Sequence, residues 1–238
     1  MSLPAEQIRL FRHNGFLKLK ESLPQQQVAA LKAAVDAGIK AAAEPVQRDQ
    51  DGRVIRLSQI LDRDPIFAEA AAAPQVVEPL AALLGPNIEA VKNRHNHATL
   101  NLARPGPLHL HRDILQWTRG LVTVIFYLEE TTVENGCTHL VPGTHLLPGA
   151  QRLHNLVEED WIGAAGLEEQ ALPVPMPAGG LLAIDSLVFH RAGRNKSGGS
   201  RTSLTIGYHS VDELATVNDP ARLLVRGQQA YLGNDRSP

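Results

Sequence analysis

The sequence predicts a mainly-β domain with flanking helices, its strands folded as an antiparallel sandwich or barrel of the jelly-roll kind. Three observations lead there. Apolar residues recur at helical spacing only in the first third of the chain, and from residue 87 they fall in short runs with no helices between them. Turn signals separate most of those runs: Pro105-Gly106-Pro107, Glu134-Asn135-Gly136, Pro142-Gly143 and Ser197-Gly198-Gly199. Finally, 238 residues with 43% hydrophobic and 20% charged side chains can bury a sizeable core, and no linker, low-complexity tract or repeat divides them. One domain over 1–238 is expected, with a mainly helical part at 1–86, a β core at 87–210 and a tail at 211–238.

In chain order, Ala5 to His13 reads as a short helix stopped by Asn14-Gly15, with the strand FLKLK (Phe16 to Lys20) after it. Val28, Leu31, Val35 and Ile39 share one face of a helix between Pro24 and Ala43. Pro65 to Ala72 and Val76 to Leu84 are two more helices, the second stopped at Gly85-Pro86. Strands are expected near Ile88 to Leu102, Leu108 to Leu115, Leu121 to Leu128, Thr138 to Val141, Gly180 to Ile184, Leu187 to His190 and Thr202 to His209. The stretch 150–176, rich in Glu, Gly and Pro, is expected to lie over one mouth of the barrel.

Composition excludes several classes. A net charge of −2 offers no electrostatic case for nucleic acid or an anionic membrane. Cys137 is the single cysteine, so no internal disulfide or zinc-finger spacing exists. No apolar run approaches the roughly 18 residues of a membrane span, and MSLPAEQIRLFRHNG has no signal-peptide apolar region. The expectation is a soluble cytoplasmic monomer or homodimer acting on a small molecule.

The chemistry is carried by histidines. His111-Arg112-Asp113 puts an imidazole and a carboxylate two residues apart, on one face if the segment is a strand. Ten His and 11 Asp make about half of one such H-x-D triplet expected by chance, so the triplet alone says little. His190 closes the apolar run LLAIDSLVF, and Arg201 opens RTSLTIGYH eleven residues later. Together they form a chemical unit. Two imidazoles and one carboxylate on one face of Fe(II) leave open positions for an α-keto acid and O2. A distal carboxylate on that acid needs a fixed cation, which Arg201 can supply bidentately. Two other readings stay open at this point. His109 with His111 would make a cupin-type metal enzyme that uses no keto acid, although no Glu follows at the short spacing expected. A jelly-roll binding module without catalysis is the other. His95 and His97, two apart in NRHNHATLN, either line a substrate pocket or hydrogen-bond on the outer sheet face.

Three further stretches carry a family resemblance: HRD at 111–113, ENGCTHLVPGTH at 134–145 and GGLLAIDSLVFHRAGRNKSGGSR at 179–201. In order and spacing they resemble the phytanoyl-CoA dioxygenase family of Fe(II)/2-oxoglutarate-dependent oxygenases, from about Asn101 to His209 and more loosely over FRHNGFLKLK. The resemblance implies a double-stranded β-helix core, cupin-like, with N-terminal helices packed on the sheet. It implies that His111, Asp113 and His190 ligate Fe(II), that Arg201 binds 2-oxoglutarate with Asn101 nearby, and that Trp117 lies beside the substrate. Family members often carry Ser two residues after the distal His, where this chain has Ala192. The implied reaction is hydroxylation of an unactivated C–H in a small or medium metabolite, such as a natural-product or amino-acid derivative, with release of succinate and CO2. Related halogenases replace the carboxylate ligand by Gly or Ala, whereas Asp113 retains it.

Overall fold

Asn14-Gly15 ends the first helix as expected. Helix α1 spans Ala5–Asn14, and Gly15 adopts φ 79° with its N–H bonded to Phe11 O at 2.7 Å. A Cβ at Gly15 would lie 2.3 Å from Val188 and 2.5 Å from His145 Nδ1, so the turn requires glycine. The computed structural model describes residues 2–103, 109–114, 120–147, 163, 165–211 and 220–228. Helix α2 (Gln25–Ala41) buries Val28, Leu31 and Val35 on its predicted face. Helix α3 (Pro65–Ala71) starts at Asp64, whose carboxylate accepts the Ile66 N–H, and α4 (Pro74–Leu84) follows.

Among the described residues twelve strands form two sheets, all paired antiparallel. The larger sheet runs β1 (Phe16–Lys18), β9 (Leu181–Asp185), β6 (Leu121–Tyr127), β11 (Thr202–Ser210), β5 (Asn96–Leu100), β3 (Val54–Ser58) and β2 (Val46–Arg48). The strands β4 (Ile88–Val91) and β12 (Arg222–Arg226) extend it from the far end of β11. The smaller sheet is β10 (His190–Ala192), β7 (Thr138–Leu140) and β8 (Leu172–Val174). The two sheets stay separate rather than closing into a barrel, as in the jelly-roll fold predicted.

Register divides the larger sheet into two unlike faces. Leu57, Ala98, Leu204, Phe126 and Leu181 lie opposite one another across five strands, and all are buried against the helices with Leu31, Val35 and Phe67. One residue along, the row Arg56, Thr99, Ser203 and Tyr127 points the other way. Part of that inner face is closed by an apolar cluster of Ile125, Tyr127, Leu140, Leu182, Ile184 and Val188 between the sheets. The rest is open and polar.

Five expectations shift. Lys92 to His95 split the predicted run 88–102 into β4 and β5. The N-terminal part also holds the hairpin β2–β3, and the C-terminal part holds β12. Within 109–114 there is no regular strand, only a bridge at His111, because its one paired partner is His190. Likewise 187–189 form a turn and β10 begins at His190. The stretch 150–176 lies outside the described residues up to 162 and at 164; β8 falls in its described part.

Candidate metal centre

The two histidines of interest sit on opposite sides of a backbone bridge. The His111 N–H donates to His190 O and the His190 N–H to His111 O, both at 2.9 Å, and the rings lie 4.2 Å apart. Asp113 is placed by its own N–H, bonded to Ser186 O at 2.9 Å. One donor atom each from His111, Asp113 and His190 lies within 4.8 Å of the others. His190 Nδ1 is 3.0 Å from Val188 O. That carbonyl only accepts, so Nδ1 carries the proton and the lone pair of Nε2 is free on the side where Asp113 Oδ1 lies 3.6 Å away.

The Asp113 side chain is only 7% exposed and has no Lys or Arg in ion-pair contact among the described residues. Burial pushes its carboxyl up, but His190, His95, His111 and the Thr123 hydroxyl together outweigh this and hold it at about 2. The Thr123 hydroxyl donates to Asp113 Oδ2 at 2.7 Å and meets Ser186 Oγ at 3.0 Å. Arg112, between the two ligand candidates in sequence, turns away from them. Its guanidinium donates to Thr144 O at 2.6 Å and covers the Phe189 ring at 4.1 Å. The Pro-Gly-Thr-His turn is thus a brace behind the donors. The Thr144 hydroxyl accepts the Phe189 N–H at 2.9 Å, and His145 Nε2 donates to Arg12 O at 2.9 Å.

These groups open onto a cavity of about 690 Å³ lined by the polar face of the larger sheet. Arg201 enters it from the residue before β11. It is 3% exposed, its Nε has no hydrogen-bond partner, and no carboxylate pairs with it among the described residues. Its guanidinium stands 5.8 Å from the Tyr127 ring, and burial lowers its pKa. A buried guanidinium with orphaned donors fits an anionic guest. Asn101 lines the same cavity, and its amide donates to Gly136 O at 3.3 Å and Gly193 O at 3.2 Å. Asn195 in turn donates to Asn101 O at 2.6 Å.

The remaining candidates separate. His97 lines the cavity, with Nδ1 2.8 Å from Arg56 Nη2. His95 lies in the turn before β5 at φ 43°, its Nδ1 3.7 Å from Asp113 Oδ1. His109 is exposed and outside the donor cluster, and Trp117 lies outside the described residues. Sequence reasoning passed over Thr123, Ser186 and Arg56. Thr123 had a signal: it is the only polar side chain before the terminal tyrosine in the fully buried strand LVTVIFY.

Two imidazoles and a carboxylate at the mouth of a jelly roll, with an orphaned arginine in the same cavity, define the class of 2-oxoglutarate-dependent non-haem iron oxygenases. The family model for phytanoyl-CoA dioxygenase (PhyH) matches residues 11–203. The chain belongs to the phytanoyl-CoA dioxygenase family. It is similar to the peroxisomal phytanoyl-CoA dioxygenase of Rattus norvegicus, 23% identical over 238 residues that cover 88% of this chain and 69% of that one. Among solved structures, EctD from S. alaskensis with bound Fe superposes with TM-score 0.73 at 21% identity, covering 99% of this chain and 88% of that one. The epimerase SnoN in complex with Fe3+, alpha ketoglutarate and nogalamycin RO superposes with TM-score 0.74 at 17% identity, covering 93% and 98%. The chain is therefore an enzyme of this oxygenase family, and it shares the fold of solved structures that hold iron and alpha ketoglutarate.

Proposed function

We propose that the protein hydroxylates an unactivated C–H bond of a small or medium metabolite, with His111, Asp113 and His190 holding Fe(II) and Arg201 receiving the distal carboxylate of 2-oxoglutarate. One observation carries the reading: a buried guanidinium, its Nε without a hydrogen-bond partner among the described residues, opens into the same cavity as three converging donors. When bound, iron with 2-oxoglutarate and O2 supplies the oxidising power for oxygen insertion, with release of succinate and CO2.

The chain's own residues do the rest. Val188 O holds the His190 tautomer that leaves Nε2 a lone pair. Thr123 occupies one oxygen of Asp113, leaving the other as the one that would ligate the metal. The Asn101, Gly136, Gly193 and Asn195 clamp ties the end of β5 to the loops beside Arg201 and so sets where the distal carboxylate lies. Hydroxylation is favoured over halogenation because Asp113 fills the coordination position that a halide would take. The reading treats the chain as one catalytic domain.

The test is spectroscopic and kinetic. Anaerobic Fe(II) and 2-oxoglutarate should give a visible absorption band in the wild type that disappears in Asp113→Ala. Succinate formation driven by substrate should vanish in His111→Ala. Full turnover in either variant would remove this assignment of ligands.

A further inference from the structure

A second arginine, Arg56, lines the same cavity. Arg56 lies on β3 at the outer end of the inner-face row, opposite Thr99, two strands from β11. With two strand spacings across and a two-residue offset along, Arg56 and Arg201 enter the cavity from backbones about 12 Å apart. Its Nη2 donates to His97 Nδ1 at 2.8 Å. That is one of five N–H donors, and its Nε is buried with no partner. No carboxylate lies within ion-pair distance of Arg56 among the described residues, the nearest charge acting on it being that of Asp113, whereas two arginines beside it in the lining are matched. Arg53 is paired with Asp49 and Asp51, and Arg191 with Glu168.

His97 cannot neutralise this charge. Burial, the first of several causes, holds its pKa at about 3, so the ring is neutral and acts as an acceptor that orients the guanidinium. The charges of the loaded centre give the decisive argument. The iron dication and Arg201 bring three positive charges; Asp113 and the dianionic cosubstrate bring three negative ones. The metal centre is then balanced without Arg56. One half-buried cation, Arg56, remains in the cavity two strands from Arg201, and a partly desolvated charge costs less when a guest matches it.

We propose that Arg56, oriented by His97, is the specificity-determining anchor for a carboxylate on the substrate, so that the enzyme oxidises a carboxylic acid rather than a neutral or cationic compound. This rests on the metal and cosubstrate reading above. Arg56 holds the acid end of the molecule by a planar, charge-assisted pair, and the rest of the substrate extends toward the three donors.

The test uses the full chain loaded with Ni(II), which is redox-inert here, and N-oxalylglycine, which occupies the keto-acid position. A panel of four- to ten-carbon carboxylic acids, their primary amides and matching phosphate monoesters is titrated by calorimetry and ligand-observed NMR. The same panel is run on the metal-free chain. At least one acid should bind at least tenfold tighter than its amide and its phosphate counterpart. Arg56→Gln should remove that preference while N-oxalylglycine affinity is unchanged, and Arg56→Lys should retain part of it. Circular dichroism checks that both variants fold. Equal affinity for acids and amides, no binding by any acid, or an acid preference that survives Arg56→Gln would overturn the proposal. Tighter binding of the phosphates would overturn the carboxylate assignment. Failure of N-oxalylglycine to bind the wild type would instead sink the cosubstrate reading, and the acid-to-amide comparison would still be read on the metal-free chain.

Discussion

Thr123 reaches across from β6 to donate a 2.7 Å hydrogen bond to Asp113, which lies on a segment with no regular strand of its own. The carboxylate is thereby oriented by the larger sheet. In Thr123→Val the shape is kept and the hydroxyl lost. Fe(II) affinity should fall about 10- to 100-fold, while stability changes by about 1 kcal/mol. Competition against a chelating dye measures the first and urea unfolding the second. Unchanged metal affinity would mean that Asp113 needs no such support.

Arg201→Gln should weaken 2-oxoglutarate binding by about 2–3 kcal/mol, the range for a hydrogen-bonded charge. The KM for 2-oxoglutarate then rises roughly 30- to 150-fold, and Fe(II) affinity is untouched. Arg201→Lys should recover only a fraction, because an ammonium cannot match both carboxylate oxygens at once. Steady-state kinetics with varied 2-oxoglutarate decides it.

Gly136 has φ 81°, and a Cβ there would sit 2.3 Å from Gly193 O and 2.7 Å from Asn101 Nδ2. Gly136→Ala should cost at least about 2 kcal/mol from backbone strain and the displaced clamp. Chemical denaturation reads this directly. A loss below about 0.5 kcal/mol would show that the loop yields freely.

His97 predicts a pH dependence. The folded state keeps it neutral to about pH 3, against an ordinary value of 6.5, chiefly because of burial and then of Arg56. The unfolded chain takes up a proton as pH falls below 6.5 and the folded chain does not. The contribution of His97 is therefore present above that value and lost as pH falls toward 3. His97→Gln should flatten stability over this window, measured as the urea midpoint at several pH values. An identical slope in wild type and variant would remove His97 as its source.

The candidate metal centre was legible from order rather than from any one residue. H-x-D was near chance, and only the turn at 142–145, His190 and Arg201 at matching spacing gave it meaning. The predicted geometry was less apt: His111 and Asp113 share a site through separate backbone bonds, to His190 and Ser186, not through strand alternation. Arg56 stayed hidden for a related reason. Its hairpin is short, and the register shifts in the pairing of β2 with β3, so V-I-R-L-S lacks a clean two-residue alternation. Thr123 was legible in principle, as a hydroxyl in an apolar strand, and Ser186 was not, since its role appears only once Asp113 and Thr123 are brought together.

The sheet register has an evolutionary consequence. Leu57, Ala98 and Leu204 are completely buried against the helices, whereas Arg56, Thr99 and Ser203, their neighbours in sequence, face the cavity. Mutations that retune what the enzyme accepts fall on every second residue, and those that would unfold it fall on the residues between. Selection can therefore explore new guests at these positions while the scaffold's margin of stability is left largely intact, and descendants with unrelated substrates can share one architecture.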